Sequence, residues 1–152
     1  GGVPEDAGRV GGDEATVALT SVADTRLLLA FKFPPSEGVR DQISALLVQE
    51  LRRGLLIPSI VVTEYIKIAG GRVGLSAALA HIGELEARGA RIVEIDRAIA
   101  VKAGELSLKH ADIPIADTLI ASTATIHGAR QVLTDDPPFH KLGLKLKWIK
   151  EM

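Results

Sequence analysis

Short β-branched runs alternate along this chain with longer stretches of helical period, and that alternation restricts the fold more than any single motif. Val17–Ala23 is short enough for a strand, and Thr25–Phe33 then reads as a helix stopped by Pro34-Pro35. Ser36 caps a predicted helix to Arg53, with Ile43, Leu46, Leu47, Val48 and Leu51 on its buried side and Gly54 as its stop. Leu55–Ile57 is a second strand, and Pro58-Ser59 starts a helix that carries Glu64 and ends at Gly70-Gly71. Val73–Arg88 places Leu75, Leu79, Ile82 and Leu85 at helical spacing before Gly89, and Arg91–Ile95 is a third strand. Asp96 caps a helix to about His110, a further helix runs from about Ile115 to His127 and ends at Gly128, residues 130–134 form a fourth strand and 146–149 a fifth. Strands separated by helices need crossover connections, which are right-handed in nearly all proteins. The expected fold is therefore α/β: one domain with a central parallel sheet of about five strands and helices on both faces.

Length and composition agree with one such domain. The chain has 152 residues and 47% hydrophobic content, enough for a sheet covered by helices. Residues 1–14 are Gly-rich and acidic, with Glu5, Asp6, Asp13 and Glu14 against Arg9 and no apolar period; residues 1–15 are expected to be a disordered tail or a non-native addition, and 16–152 the domain. The absence of cysteine excludes disulfides, thiolate metal sites and cysteine nucleophiles, and fits a reducing compartment. No apolar run approaches the roughly 20 residues that span a bilayer, so the expectation is a cytoplasmic protein with no membrane contact.

Acidic residues fall where strands pass into loops or helices. Asp24 closes the first strand and the pair Asp135-Asp136 follows the fourth; Glu64 and Asp117 lie early in helices that Pro58 and Pro114 introduce. In an open parallel sheet the crevice beyond the carboxyl ends of the strands is where ligands bind, so these acids are placed for chemistry. Two carboxylates about 4 Å apart repel by roughly 4 kcal/mol at an effective dielectric near 20, so such a group takes up protons or binds a cation. Oxygen-only ligands select Mg²⁺ or Mn²⁺ over zinc, and such an ion can activate water against a phosphodiester. Arg130, Lys141, Lys145, Lys147 and Lys150, with His127 and His140, follow or flank the acidic turn and read as a basic rim for a polyanion beside it.

At these same positions the chain resembles the PIN-domain nucleases. Residues 22–30 (VADTRLLLA) look like their opening motif, residues 57–64 (IPSIVVTE) like the second, residues 115–121 (IADTLIA) like the third, and residues 134–139 (TDDPPF) like the fourth, Thr-x-Asp-x-x-Phe. Size and motif order look most like the VapC-type toxins of toxin–antitoxin pairs, over residues 17–149. The resemblance implies a ribonuclease using Mg²⁺ or Mn²⁺, commonly a homodimer and inhibited by an antitoxin protein. It implies Asp24, Asp117 and Asp136 as metal-facing carboxylates and Glu64 as holder of a water or a second ion. Asp135 is a candidate helper, and Thr25 and Thr134 are candidates for orienting the carboxylates.

Other readings compete. A binding module on the same fold would hold RNA or protein without cutting, a PIN nuclease could serve RNA processing, and a phosphoacceptor domain also gathers acids at a sheet edge. The last expects paired acids after the first strand, whereas Asp24 stands alone there. Arg26 reads as a solvated side chain or a phosphate contact. Leu27, Leu28, Leu29 and Phe31 leave little polar face on the first helix and suggest a homodimer contact or an antitoxin groove. Glu105, Asp112 and the four histidines His81, His110, His127 and His140 are left out of the site.

Overall fold

In the computed structural model, which describes residues 20–150, β1 (Ser21–Ala23) is buried at every position and occupies the middle of the sheet. On one side lie β2 (Leu55–Pro58) and then β3 (Arg91–Val93); on the other lie β4 (Gln131–Leu133) and then β5 (Leu146–Lys147). All pairings are parallel, with Ser21 level with Leu55 and Gln131, and Ala23 level with Leu133. The α/β fold read from the sequence is the fold observed.

The helices follow from local signals. α1 (Thr25–Lys32) is capped by the Asp24 carboxylate, and α2 (Glu37–Arg53) by the Ser36 hydroxyl, each accepting from a backbone N–H three residues on. α3 (Ser59–Val73) and α4 (Leu75–Ala87) carry the chain from β2 to β3; α5 (Arg97–Lys109) and α6 (Ile115–Ile126) carry it back across the sheet to β4; and the short α7 (Pro138–Lys141) precedes β5. Because the chain moves one way from β1 to β3 and the opposite way from β3 to β4, right-handed crossovers place the two sets of helices on opposite faces. Fully buried Leu27, Ile43, Ile57, Val61, Ile99 and Phe139 join these layers in one core. Among the described residues no helix is long and apolar enough to cross a membrane.

Three local expectations are corrected. The helix from Ser59 continues through Gly70-Gly71 to Val73, because neither glycine has a positive φ; the stop is Gly74 at φ 91°, and α4 starts at Leu75. On α4 the buried residues are Ala78, Ile82 and Leu85, so Leu75 and Leu79 point to solvent. On α2 the buried stripe is Ile43, Leu46, Leu47 and Glu50, which follow at helical spacing, and Val48 is turned outward. The third, fourth and fifth strands are also shorter than the runs 91–95, 130–134 and 146–149 read for them, the second extends to Pro58, and α7 was not anticipated. The tail assigned to residues 1–15, and residues 16–19 before β1, lie outside the described residues.

Glu50 is therefore a charge placed on the apolar stripe of α2, at 0% exposure. It is satisfied from three strands. Ser21 Oγ of β1 donates to Oε1 at 2.5 Å, Gln131 Nε2 of β4 donates to Oε1 at 3.2 Å and to Ser21 Oγ at 3.0 Å, and Lys147 Nζ of β5 donates to Oε2 at 3.3 Å. Arg53 lies 3.8 Å from the same carboxylate. Such a network ties α2 to the sheet at fixed register. Gly54, which follows, has φ 114° and sits so close to the chain before β1 that a Cβ would lie 2.8 Å from Thr20 Cγ2. Removing one partner of a buried ion pair strands the other. Glu50→Ala is expected to lower unfolding stability by about 3 kcal/mol, and Lys147→Met, whose partner keeps Arg53, by less; urea denaturation of both checks the order.

Candidate active site

The chain leaves β1 toward β2 and returns at β4 on the other side, so the crevice between the carboxyl ends of β1 and β4 is the switch point of this sheet. Asp24 stands one residue beyond Ala23, and Thr134 one residue beyond its register partner Leu133. Asp24 is 3% exposed. It accepts from Leu27 N at 3.1 Å and has a hydrogen bond with the Thr134 hydroxyl. Thr134 Oγ1 in turn accepts from Asp136 N at 3.0 Å, so one threonine joins the first acid to the loop that holds the last. Burial outweighs these hydrogen bonds and the charge of Arg26, and pushes the Asp24 carboxyl up to about 7.

A second group lies at the same end of the sheet. Asp117, in the first turn of α6, is half-buried, and its carboxyl is raised to about 6, first by burial and then by the charges of Asp136 and Glu64. Glu64, from α3, is held by Thr25 of α1, whose hydroxyl donates to Oε1 at 2.6 Å. Four elements thus bring Asp24, Glu64, Asp117 and Asp136 to one end of the sheet, and both threonines singled out in the sequence hold a carboxylate.

Asp135 is engaged elsewhere. Arg26 Nε and a terminal nitrogen of its guanidinium donate to the two Asp135 oxygens at 2.5 and 3.0 Å, a forked pair at the mouth of the crevice. The two residues are 109 positions apart, so no local signal joins them; only an arginine two places after the motif aspartate could have drawn attention to the pair. Arg130, Lys145 and Lys147, read as part of a basic rim, do not stand beside the acids. Arg130 and Lys145 precede β4 and β5 and so lie at the amino edge, Lys147 is on Glu50, and Lys141 is 3.4 Å from Asp112. Three of the residues left out of the site have other partners: Glu105 pairs with Lys102 at 3.8 Å, His81 Nδ1 meets the Tyr65 hydroxyl at 2.7 Å, and His127 Nδ1 lies 3.4 Å from Arg91.

Among the described residues no three acidic or histidine side chains stand close enough together to ligate one ion as placed. The chemistry of the donor set nevertheless fits a hard divalent cation. All donors are carboxylate oxygens, and two of them are carboxyls whose ionised form is held back by burial and by like charge.

Residues 22–145 match the family model described as the PIN domain, and the chain belongs to that family. A search of curated proteins gives no match. Among solved structures it is similar to a chain of VapBC2 from Rickettsia felis, bound to a DNA fragment from its promoter, at 18% identity and TM-score 0.71, covering 86% of this chain and 99% of that one. It is similar to VapC20 of Mycobacterium tuberculosis, a sarcin–ricin loop cleaving toxin, at 16% identity and TM-score 0.70, covering 82% and 96%. DNA-bound VapBC from Salmonella typhimurium gives 21% identity and TM-score 0.64, covering 86% and 98%. At these identities the likeness establishes the fold.

The two raised carboxyls have a consequence for stability. Their folded values of about 7 and about 6 lie above the ordinary 3.8, so between these limits the folded protein holds protons that the unfolded chain has released. Stability is therefore greatest at the acid end of this window and is lost as pH rises from about 4 through 7. In EDTA the melting midpoint is expected to fall between pH 5 and pH 8, less steeply in Asp24→Asn; a flat profile in the unsubstituted protein would contradict the burial of this charge.

Proposed function

We propose that this protein is a metal-dependent ribonuclease that hydrolyses RNA phosphodiester bonds in the cytoplasm and acts as the toxin of a type II toxin–antitoxin pair. The observation that carries this reading is the placement of Asp24, Glu64, Asp117 and Asp136 at the carboxyl end of one parallel sheet, close enough that Asp136 and Glu64 raise the Asp117 carboxyl, in a chain of the PIN family. Its fold similarity to VapC20, a sarcin–ricin loop cleaving toxin, and to a chain of a toxin–antitoxin complex from Klebsiella pneumoniae supports it.

Asp24, Asp117 and Asp136 would hold Mg²⁺ or Mn²⁺, and Glu64 would hold a water or a second ion. A divalent cation held there would supply a lowered pKa for water and a positive charge against the scissile phosphate. Thr134 keeps Asp24 turned into the crevice, and Thr25 does the same for Glu64. Burial keeps Asp24 away from bulk water, which strengthens its attraction for a cation once the proton is displaced. The leaving oxygen would take its proton from water or from an acid not among these residues. Asp135, forked by Arg26, serves as a helper that fixes the mouth of the crevice.

An antitoxin is the proposed partner, seated on the outer side of α1. Leu27 and Leu28 of that helix are in the core, while Leu29, Ala30 and Phe33 line an apolar groove of about 390 Å³ with Ile68, Trp148 and Ile149. Arg26 and Asp135 stand in the same groove, so a segment lying there reaches the mouth of the acidic crevice. A homodimer is the proposed assembly, with exposed Val101, Leu108 and Ile115 on the α5–α6 pair as apolar surface for a second copy.

Asp24→Asn and Asp117→Asn are each expected to reduce cleavage of labelled RNA in Mn²⁺ by at least about 100-fold while the circular dichroism spectrum stays native. Retained cleavage in both variants would sink the reading. At about 100 times its dissociation constant the ion should stabilise the unsubstituted protein by roughly 2.7 kcal/mol, and Asp24→Asn by less, read as a melting shift. Binding of RNA and ion without products would favour a non-catalytic module instead.

A further inference from the structure

The parallel sheet separates charge between its two edges. The carboxyl edge carries Asp24, Glu64, Asp117, Asp135 and Asp136, whereas the residues that lead into the strands at the amino edge are basic. Arg88 and Arg91 stand at β3, Arg52 and Arg53 before β2, Arg130 before β4 and Lys145 before β5. In the sheet order β3-β2-β1-β4-β5 this places a cation at every strand start except that of β1, along about 19 Å if neighbouring strands are about 4.8 Å apart. A net charge of −1 conceals this separation.

These cations are free to meet an external anion. Arg53 is committed to Glu50, but Arg52, Arg88, Arg91, Arg130 and Lys145 are exposed and, among the described residues, none is in an ion pair. Arg88 rests over the Phe31 ring at 5.8 Å, and Arg91 reaches only His127. The carboxylates near these cations are Glu50, which is enclosed and already held by Lys147 and Arg53, Glu84, which pairs with Lys32 and whose charge also feels Arg88, and Glu86, exposed near the end of α4. A shallow groove of about 330 Å³ between α2 and the end of α4 is lined by Arg52 and Arg88 with Val48 and Leu51. Arginines in the last turn of α2 complement its dipole, which accounts for Arg52. That does not account for Arg91, Arg130 and Lys145, which stand at strand starts.

We propose that this amino edge is a second RNA-binding surface, which holds the phosphodiester backbone of a folded RNA flanking the segment that enters the acidic crevice. The inference rests on the ribonuclease reading for the identity of its ligand. A row of exposed cations attracts phosphates by charge and reads no bases, as expected for a protein with only 3% aromatic residues. Its contribution to affinity is electrostatic and falls with salt.

The test compares a fluorescein-labelled RNA hairpin with a tetranucleotide too short to reach from the crevice to the amino edge. The four-fold variant Arg52→Gln, Arg91→Gln, Arg130→Gln, Lys145→Gln is made in the Asp117→Asn background for binding and in the unsubstituted background for cleavage. By anisotropy the hairpin should bind at least tenfold more weakly to the variant at moderate salt. The slope of log affinity against log salt should fall by about 3, for four contacts at about 0.7 each. The loss in cleavage should be at least tenfold greater for the hairpin than for the tetranucleotide, and Arg52→Lys with Arg91→Lys and Arg130→Lys should retain binding. Equal hairpin affinity and slope, or an equal loss on both RNAs, overturns the proposal; so does a change confined to oligomeric state, which would assign the edge to a second copy of the chain. If the unsubstituted protein cuts the tetranucleotide but the variant binds the hairpin as well as its parent, only this inference falls. If the unsubstituted protein neither binds nor cuts either RNA, the ribonuclease reading falls with it.

Discussion

The parallel register of β1 with β4 is the constraint on which the rest of the molecule depends. Ala23 pairs with Leu133, so the chain leaves both strands at the same level, and Asp24 and Thr134 emerge side by side beyond the sheet. Everything at the crevice follows from that step. Asp24 caps α1, which aims Thr25 at Glu64; Thr134 receives the Asp136 amide, which aims the next carboxylate toward Asp117. A one-residue slip would turn Asp24 to the other face of the sheet and break both chains of hydrogen bonds.

The buried Glu50 cluster secures that register from the opposite end. Ser21 and Gln131 open β1 and β4, and both donate to one carboxylate of α2, with Lys147 of β5 closing the set. A purely apolar contact at this point would tolerate small displacements, whereas directional hydrogen bonds to one buried charge do not. The molecule thus has two polar ends joined by strands of two to four residues: one in which a carboxylate is enclosed and matched by cations, and one in which Asp135 is forked by Arg26 while burial raises the Asp24 and Asp117 carboxyls.

Much of this was legible in the sequence. Strand–helix alternation implies a parallel sheet, and acids that follow strands or begin helices must then share its carboxyl edge, so Asp24, Glu64, Asp117 and Asp136 could be grouped before any contact was known. The helix stops were less legible at glycine pairs: Gly70-Gly71 looks like a terminus, but Gly74 has the positive φ. On α2, apolar side chains suggested Val48 as core, yet helical geometry places position 50 on the buried stripe, where the sheet supplies the donors that make a glutamate tolerable.

By its own pattern the sequence determined the class of fold, the direction of the strands and the edge to which each acid belongs, because these depend on local periodicity and on the handedness of crossovers. Only the tertiary structure decided which side chains meet. Asp135 pairs with Arg26 across 109 residues, and Arg130 and Lys145, adjacent in sequence to the acidic turn, lie at the other end of the sheet from it. Partners of that kind are set by strand order and register, which bring distant residues together and carry near neighbours to opposite edges.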